Sequence, residues 1–284
     1  MEKQYILTLS CRDVRGIVAA VSGFLADHQG FVIESAQFGD ATTGRFFMRV
    51  DFTLDADDKG HDAFAPAFEK EVAKPFAMEW QLHDKHIKTR TLVMVSKEGH
   101  CLNDLLYRHA TGQLPIDIAA IVSNHPDWKK VASWHEIPFY HLPIEGDKAG
   151  QEAQLLDIID QQDIGLVVLA RYMQILSANL CGKLAGRAIN IHHSFLPGFK
   201  GASPYKQAFD RGVKLIGATA HFVTTDLDEG PIIEQEVTRV DHSHSVADMV
   251  AIGRDTECMV LSRAVKYYAE HRVLLGGDKT VVFR

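Results

Sequence analysis

Two stretches of this 284-residue chain gather groups able to act on a carbonyl. In the first, Asn190-Ile191-His192-His193-Ser194, an amide and an imidazole stand two residues apart. In a strand that spacing sends both side chains to one face. One can then hydrogen-bond a carbonyl oxygen while the other handles a proton. The second stretch, His221 to Pro231, runs from strand-like sequence into the acidic turn Asp226-Leu227-Asp228-Glu229-Gly230-Pro231. A carboxylate there can position water or assist a proton transfer. Each stretch alone is also ordinary strand and turn sequence. His192, His193, His221 and Asp228 have the residue types of a zinc shell, so a metallohydrolase is the chemically distinct alternative. Against it, adjacent histidines in a strand point to opposite faces, and the sequence contains no HExxH helix.

The elements that must carry these groups follow from the apolar pattern. The runs 91–96, 117–123, 165–170 and 188–193 are short and continuously apolar, with helical stretches near 100–111, 125–134 and 150–162 between them. Such strands predict a parallel sheet covered on both faces, which binds ligands at the carboxyl ends of its strands. Residues 216–225 and 231–240 are expected to add antiparallel strands. A long helix over 245–271, with Leu261, Ala264, Val265 and Tyr268 on one face, closes the domain. Ahead of it, residues 5–11 alternate as a strand, and Asp13 is expected to cap a helix whose apolar face is Ile17, Val18, Val21 and Leu25. Strands at 31–40 and 44–54, a helix at 61–73 and a strand at 77–83 complete a βαββαβ order, with two helices on one face of an antiparallel sheet. The polar segment 83–90 is expected to link the two domains, 1–84 and 91–284, in an α/β protein.

Composition excludes several classes. A formal net charge of −7, with no basic run, argues against a nucleic-acid partner, because phosphate binding rests on clustered Lys and Arg. The first residues carry Glu2 and only a brief apolar stretch, as neither a signal peptide nor a membrane span does. Cys11, Cys101, Cys181 and Cys258 lie far apart without a CxxC pair, and are expected to be reduced thiols of a cytoplasmic protein.

The segment NIHHSFLPGFKGASPYKQAFDRGVKLIGATAHFV, with LDEGPIIEQ after it, resembles the core of the folate-dependent formyltransferase fold, which includes glycinamide ribonucleotide transformylase and methionyl-tRNA formyltransferase. The doubled His192-His193 before Ser194, and the ending GRDTECMVLSRAV…RVLLGGDKTVVF, are similar more closely to formyltetrahydrofolate deformylases. The resemblance spans essentially the whole chain. It implies an N-terminal ACT domain of ferredoxin-like topology before a Rossmann-like formyltransferase domain. It also implies hydrolysis of 10-formyltetrahydrofolate to tetrahydrofolate and formate, with no metal and no cofactor. The formate would supply purine biosynthesis and balance the one-carbon folate pool.

By the same resemblance Asn190, His192 and Asp228 are catalytic: Asn190 and His192 stabilise the oxyanion and Asp228 positions water. Tyr172, Met173, Gln174, Ile175 and Leu176, together with Val223, Thr224, Thr225, Asp226 and Leu227, would form the substrate pocket. His193, Lys200 and Gly201 would be secondary residues. Transferases acting on a ribonucleotide phosphate carry a Gly-rich turn after the first strand. Here Ser96-Lys97-Glu98-Gly99-His100-Cys101-Leu102 offers one Gly and a carboxylate that repels phosphate, which leaves water as the acceptor. A folate sensor without turnover is the remaining alternative, and the intact triad speaks against it. The segment CRDVRGIVAAVSGFLADHQG resembles the start of ACT domains, implying methionine or glycine as effector and a homotetramer; no membrane partner is expected. Phe31 stands where that family often presents Asn.

Overall fold

Residues 3–54, 58–144, 146–198 and 204–284 are described by the computed structural model of the chain, and they fall into two units. The first holds residues up to Lys88 together with Glu270–Gly277 and Val281–Arg284. It is built from β1 (Lys3–Arg12), α1 (Ile17–Asp27), β2 (Phe31–Asp40), β3 (Arg45–Leu54), α2 (Asp58–Phe68) running into a π-helical turn, and β4 (Glu79–Asp84). The sheet order is β2-β3-β1-β4 with every pair antiparallel, so the βαββαβ order expected from the sequence is the one found. Alternation explains the packing. Tyr5, Leu7, Leu9 and Cys11 of β1 and Phe46, Met48, Val50 and Phe52 of β3 face Ile17, Val21, Phe24 and Leu25 of α1, with Phe64 and Phe68 of α2.

Three local expectations are corrected. Asp13 does not cap α1: the N-cap is Gly16, in the left-handed region at φ 97° with no side-chain cap, and the Asp13 backbone N–H instead donates to the Gly44 carbonyl at 2.8 Å. Glycine supplies that backbone conformation at no steric cost. Val18 is exposed and lies off the apolar face. The segment 83–90 is less a linker than a turn, since β4 ends at Asp84 and the next strand begins at Thr89.

The second unit spans Thr89–Ala269 with Asp278–Thr280. In order it contains β5 (Thr89–Val95), α3 (His100–Ala110), β6 (Ile116–Ser123), α4 (Lys129–Trp134), β7 (Phe139–His141), α5 (Lys148–Gln161), β8 (Leu166–Leu169) and α6 (Ala178–Lys183). Then come β9 (Ala188–His192), α7 (Pro204–Asp210), β10 (Leu215–Phe222), β11 (Ile232–Arg239) and α8 (Val246–Ala269). The sheet runs β11-β10-β9-β8-β5-β6-β7. Strands β5 to β9 are parallel, and β10 and β11 are antiparallel, as the apolar runs predicted. Leu92–Val95 and Leu166–Leu169 are buried throughout, as strands covered on both faces must be. The path leaves β5 toward β7, then returns to the other side of β5 at β8. The carboxyl ends flanking that reversal are where open α/β sheets hold ligands. Strand β7 and helices α6 and α7, each under eight residues, had no sequence period long enough to announce them.

A final hairpin, β12 (Val273–Gly276) and β13 (Lys279–Val282), ends the chain. Its approach belongs to the first unit. Buried Arg49 donates from Nε and from a terminal guanidinium nitrogen to the Glu270 carbonyl at 3.2 and 3.1 Å, and pairs with Glu34 at 2.9 Å. Glu34 also accepts from Arg272. The rings of His83 and His271 stack at 3.5 Å. Among the described residues no helix is long and apolar enough to cross a membrane.

Candidate active site

Strand β9 carries Asn190 and His192 on one face because they are two residues apart. Strand β10 pairs with it so that His221 sits opposite Asn190 and Thr219 opposite His192. His221 Nδ1 lies 2.8 Å from the Phe222 carbonyl, which can only accept, so that nitrogen carries a proton. Its Nε2 lies 3.3 Å from the Asn190 amide nitrogen and faces Asp228 as well, so the ring fixes the position of both groups.

Asp228 comes from the loop after β10. Its backbone is left-handed, at φ 58°. The loop closes on itself at Gly230, where a Cβ would stand 1.7 Å from the Phe222 carbonyl oxygen, so only glycine allows Phe222 N–H to reach the Pro231 carbonyl. The Asp-Glu-Gly-Pro sequence is thus the closure that brings Asp228 back to the strands. Asp228 Oδ1 lies 3.2 Å from His192 Nδ1 and 3.7 Å from His221 Nε2. The His192 hydrogen bond, and after it His221, hold its carboxyl far below the usual carboxylate range, against the opposing effect of burial. Asp228 is therefore ionised, and His192 Nδ1 donates to it. His192 Nε2 is buried and has no hydrogen-bond partner among the described residues. Its hydrogen-bonding capacity is unused within the cleft that His192 lines.

The three residues line one cleft of about 640 Å³, a size suited to a small organic ligand. Its walls include Tyr172 to Leu176 after β8 and Val223 to Leu227 after β10, every pocket residue expected from the sequence. Met173, Ile175 and Leu227 turn apolar side chains outward, while Tyr172 is buried, its hydroxyl held by Gln151 Nε2 at 2.8 Å. The first wall is pinned by the Met173 backbone N–H, which donates to Ser96 Oγ at 3.1 Å. Lys200 and Gly201 lie outside the described residues.

His193 needs a correction. It does not point away from His192, because β9 ends at His192 and strand alternation no longer applies. Its ring stacks on His192 at 4.9 Å and 19° and lines the same cleft. Behind it is a cluster with no local motif to reveal it in sequence. Arg171 lies 2.5 Å from His193 Nδ1 and, through Nε, 3.4 Å from Glu257 Oε2. Glu257 also accepts from Tyr205 at 2.6 Å and meets His100 Nε2 at 2.8 Å. At the mouth Glu98 pairs with Arg254 at 2.5 Å. Gly99 is explained by packing: a Cβ there would stand 1.9 Å from the Trp128 ring.

Among the described residues the ligand atoms of His100, Cys101 and Glu257 come within 4.8 Å of one another, whereas those of His192, His193, His221 and Asp228 do not form such a group. The Arg171 cation on Glu257 opposes a second cation at the former.

Comparison with known proteins gives concordant results. The formyl transferase family profile matches residues 89–265. The chain is 52% identical to a formyltetrahydrofolate deformylase of Corynebacterium sp. (strain P-1), over 99% of this chain and 98% of that one. It is 46% identical to the Bacillus subtilis (strain 168) formyltetrahydrofolate deformylase, over 98% and 93%. The crystal structure of formyltetrahydrofolate deformylase from Burkholderia mallei superposes with a TM-score of 0.95 at 55% identity, covering 99% of this chain and 100% of the other.

Proposed function

The chain belongs to the formyltetrahydrofolate deformylase family, and from that premise we propose that it hydrolyses 10-formyltetrahydrofolate to tetrahydrofolate and formate in the cleft lined by Asn190, His192 and Asp228. The observation that carries this mechanism is the setting of His192. Its Nδ1 is anchored on an ionised carboxylate, and its unpartnered Nε2 shares the cleft with the Asn190 amide.

Attack of water on the formyl carbon creates a tetrahedral oxyanion. The free Asn190 N–H and a protonated His192 Nε2–H are the donors for it, and losing one such donor typically costs about 3 kcal/mol. Asp228 holds the imidazolium in register and positions the attacking water. The leaving nitrogen, N10, must gain a proton as the C–N bond breaks, from His192 or from a water relayed to it. The pterin lies between the two pocket walls, its flat faces against Met173, Ile175 and Leu227 and its polar edge toward Thr224, Thr225 and Asp226.

Water is the acceptor because the mouth is unsuited to a phosphorylated amine. Glu98 and Arg254 satisfy each other, and Gly99 is committed to Trp128. No step calls for a metal or a cofactor, so turnover persists after chelation. The N-terminal unit is proposed to be an ACT domain that responds to methionine or glycine within a cytoplasmic homotetramer. Released formate would serve purine biosynthesis and the balance of the folate pool.

The test is formate release from 10-formyltetrahydrofolate with no amine present. The wild-type chain releases formate, and Asp228→Asn is slower by about 100-fold or more. Equal turnover in that variant rejects the assignment.

A further inference from the structure

The stacked pair His192 and His193 poses a question of charge. Two imidazoles 4.9 Å apart cannot readily both be cations, because like charges disfavour one another. One proton has two possible owners. The mechanism above needs it on His192.

The surroundings of His193 decide the matter. A guanidinium has donors only, so the nitrogen of Arg171 that lies 2.5 Å from His193 Nδ1 must donate to it. That nitrogen of His193 therefore holds a lone pair, and its ring is the neutral tautomer protonated at Nε2. Arg171 itself sits at φ 64°, a left-handed backbone rarely tolerated by a residue of its size. Its position is fixed from behind by Glu257 of α8, which is 1% exposed. Burial alone would raise the Glu257 carboxyl. The His100 hydrogen bond, the Arg171 charge and the Tyr205 hydroxyl together reverse that and bring it below its ordinary value. Glu257 is thus an anion that cancels Arg171, making the guanidinium a hydrogen-bond donor with little net field.

We propose that Arg171 and Glu257 are positioning residues that keep His193 neutral, so that the one positive charge available to the stacked imidazoles resides on His192. The inference rests on the reading above of His192 as the acid. Other ionisable groups are compatible with it. Asp228 and His221 meet His192 from the β10 side. Tyr205 of α7 faces the His193 ring at 6.5 Å, and its phenol is pushed up by burial and by Glu257, so it stays neutral. His100 of α3 is engaged by Glu257, Glu98 by Arg254, and Asp226 adds a further carboxylate to the wall.

The test uses the full-length enzyme with ring-15N histidine, followed by long-range proton–nitrogen spectra from about pH 5 to about pH 9, the range in which imidazoles ordinarily titrate. The wild-type His193 is expected to show one proton-bearing nitrogen and one lone-pair nitrogen at every pH. Arg171→Met frees Nδ1, so His193 titrates and competes for the proton. A second site for the same proton lowers the fraction carried by His192, so kcat falls with KM little changed, while the alkaline limb of kcat/KM moves up because the pair holds the proton more tightly. Glu257→Gln keeps the volume and an acceptor for Tyr205 but leaves the Arg171 charge uncancelled, so the cation opposes protonation of both rings, and the alkaline limb moves down while His193 keeps its neutral tautomer. It carries the test if Arg171→Met does not fold. The proposal is overturned if wild-type His193 titrates, or if the variants lower kcat without displacing the profile. A wild-type enzyme that releases no formate sinks the proposed reaction instead, which separates the two failures.

Discussion

Asp228 combines an unusual backbone with an unusual carboxyl, and both follow from its loop. The left-handed φ of 58° turns the side chain back toward β9, where His192 and His221 stabilise the anion. Because the folded carboxyl is held low, Asp228 stays ionised across the working range. The kcat/KM profile is therefore expected to show no acid limb from this residue down to about pH 5, a point where even an ordinary Asp is ionised. A profile in which activity titrates away with a carboxylate near that pH contradicts the pairing. Asn190→Ala removes one oxyanion donor and is expected to lower kcat by about 10²–10³ with KM little changed, as stopped-time formate assays would show. At this scale the sequence was legible where spacing decides direction. Asn190 and His192 share a strand face because they are two apart. Asp228, thirty-six residues further on, was reached only through the resemblance of its flanks. Arg171, Tyr205 and Glu257 lie in segments that carry the resemblance, Arg171 in the stretch 170–176 expected to form the pocket, but nothing in their sequence shows that they meet at His193; only the tertiary fold brings them there.

Helices and strands place these side chains through a few close approaches. Gly253, one turn before Glu257 in α8, leaves room for Tyr205: a Cβ there would lie 2.1 Å from the Tyr205 hydroxyl. Gly253→Ala is expected to push Tyr205 off Glu257 and to cost about 1–3 kcal/mol, read as a lower Tm by calorimetry. An unchanged Tm would show that Tyr205 yields freely. In the first unit, burial pushes His83 down to about 4, and burial, with help from His83 and Arg49, pushes His271 down to about 3. Both rings are neutral when folded, while the unfolded chain takes up protons below about pH 6.5. Their contribution is intact above that pH and is lost progressively as pH falls toward the folded values. Tm should therefore be flat above about pH 7 and decline below it, and His271→Phe, which cannot protonate, should flatten part of that slope. The long elements were readable because their apolar runs or helical stripes extend over many residues. Strand β7, three residues long, and α6 and α7, of six and seven, offered no period to read. The helix start at Gly16 was misread because Asp is a common cap, whereas here the turn is made by backbone conformation.

For the molecule as a whole, the first unit ends at an open edge. Among the described residues β2 has one paired neighbour, β3, and it exposes Phe31, Val32, Ile33 and Phe38. Long apolar edges of this kind are usually covered, which supports assembly. Light scattering is expected to give four times the chain mass of 31.6 kDa, and Ile33→Lys to reduce it. A particle of 31.6 kDa for the wild type would reject assembly outright. The two-part organisation was readable as a change of rhythm near residue 90, but the return of the chain end was not, since it depends on partners more than two hundred residues apart, such as Arg49 and Glu270. That return has a practical corollary. A gene fragment ending at Lys88 would deliver Arg49 without the Glu270 carbonyl, and Glu34 without Arg272, so its buried cation would keep Glu34 but lose the carbonyl that takes two of its hydrogen bonds. Anyone transplanting the first unit onto another protein must carry Glu270–Gly277 and Val281–Arg284 along with the residues up to Lys88.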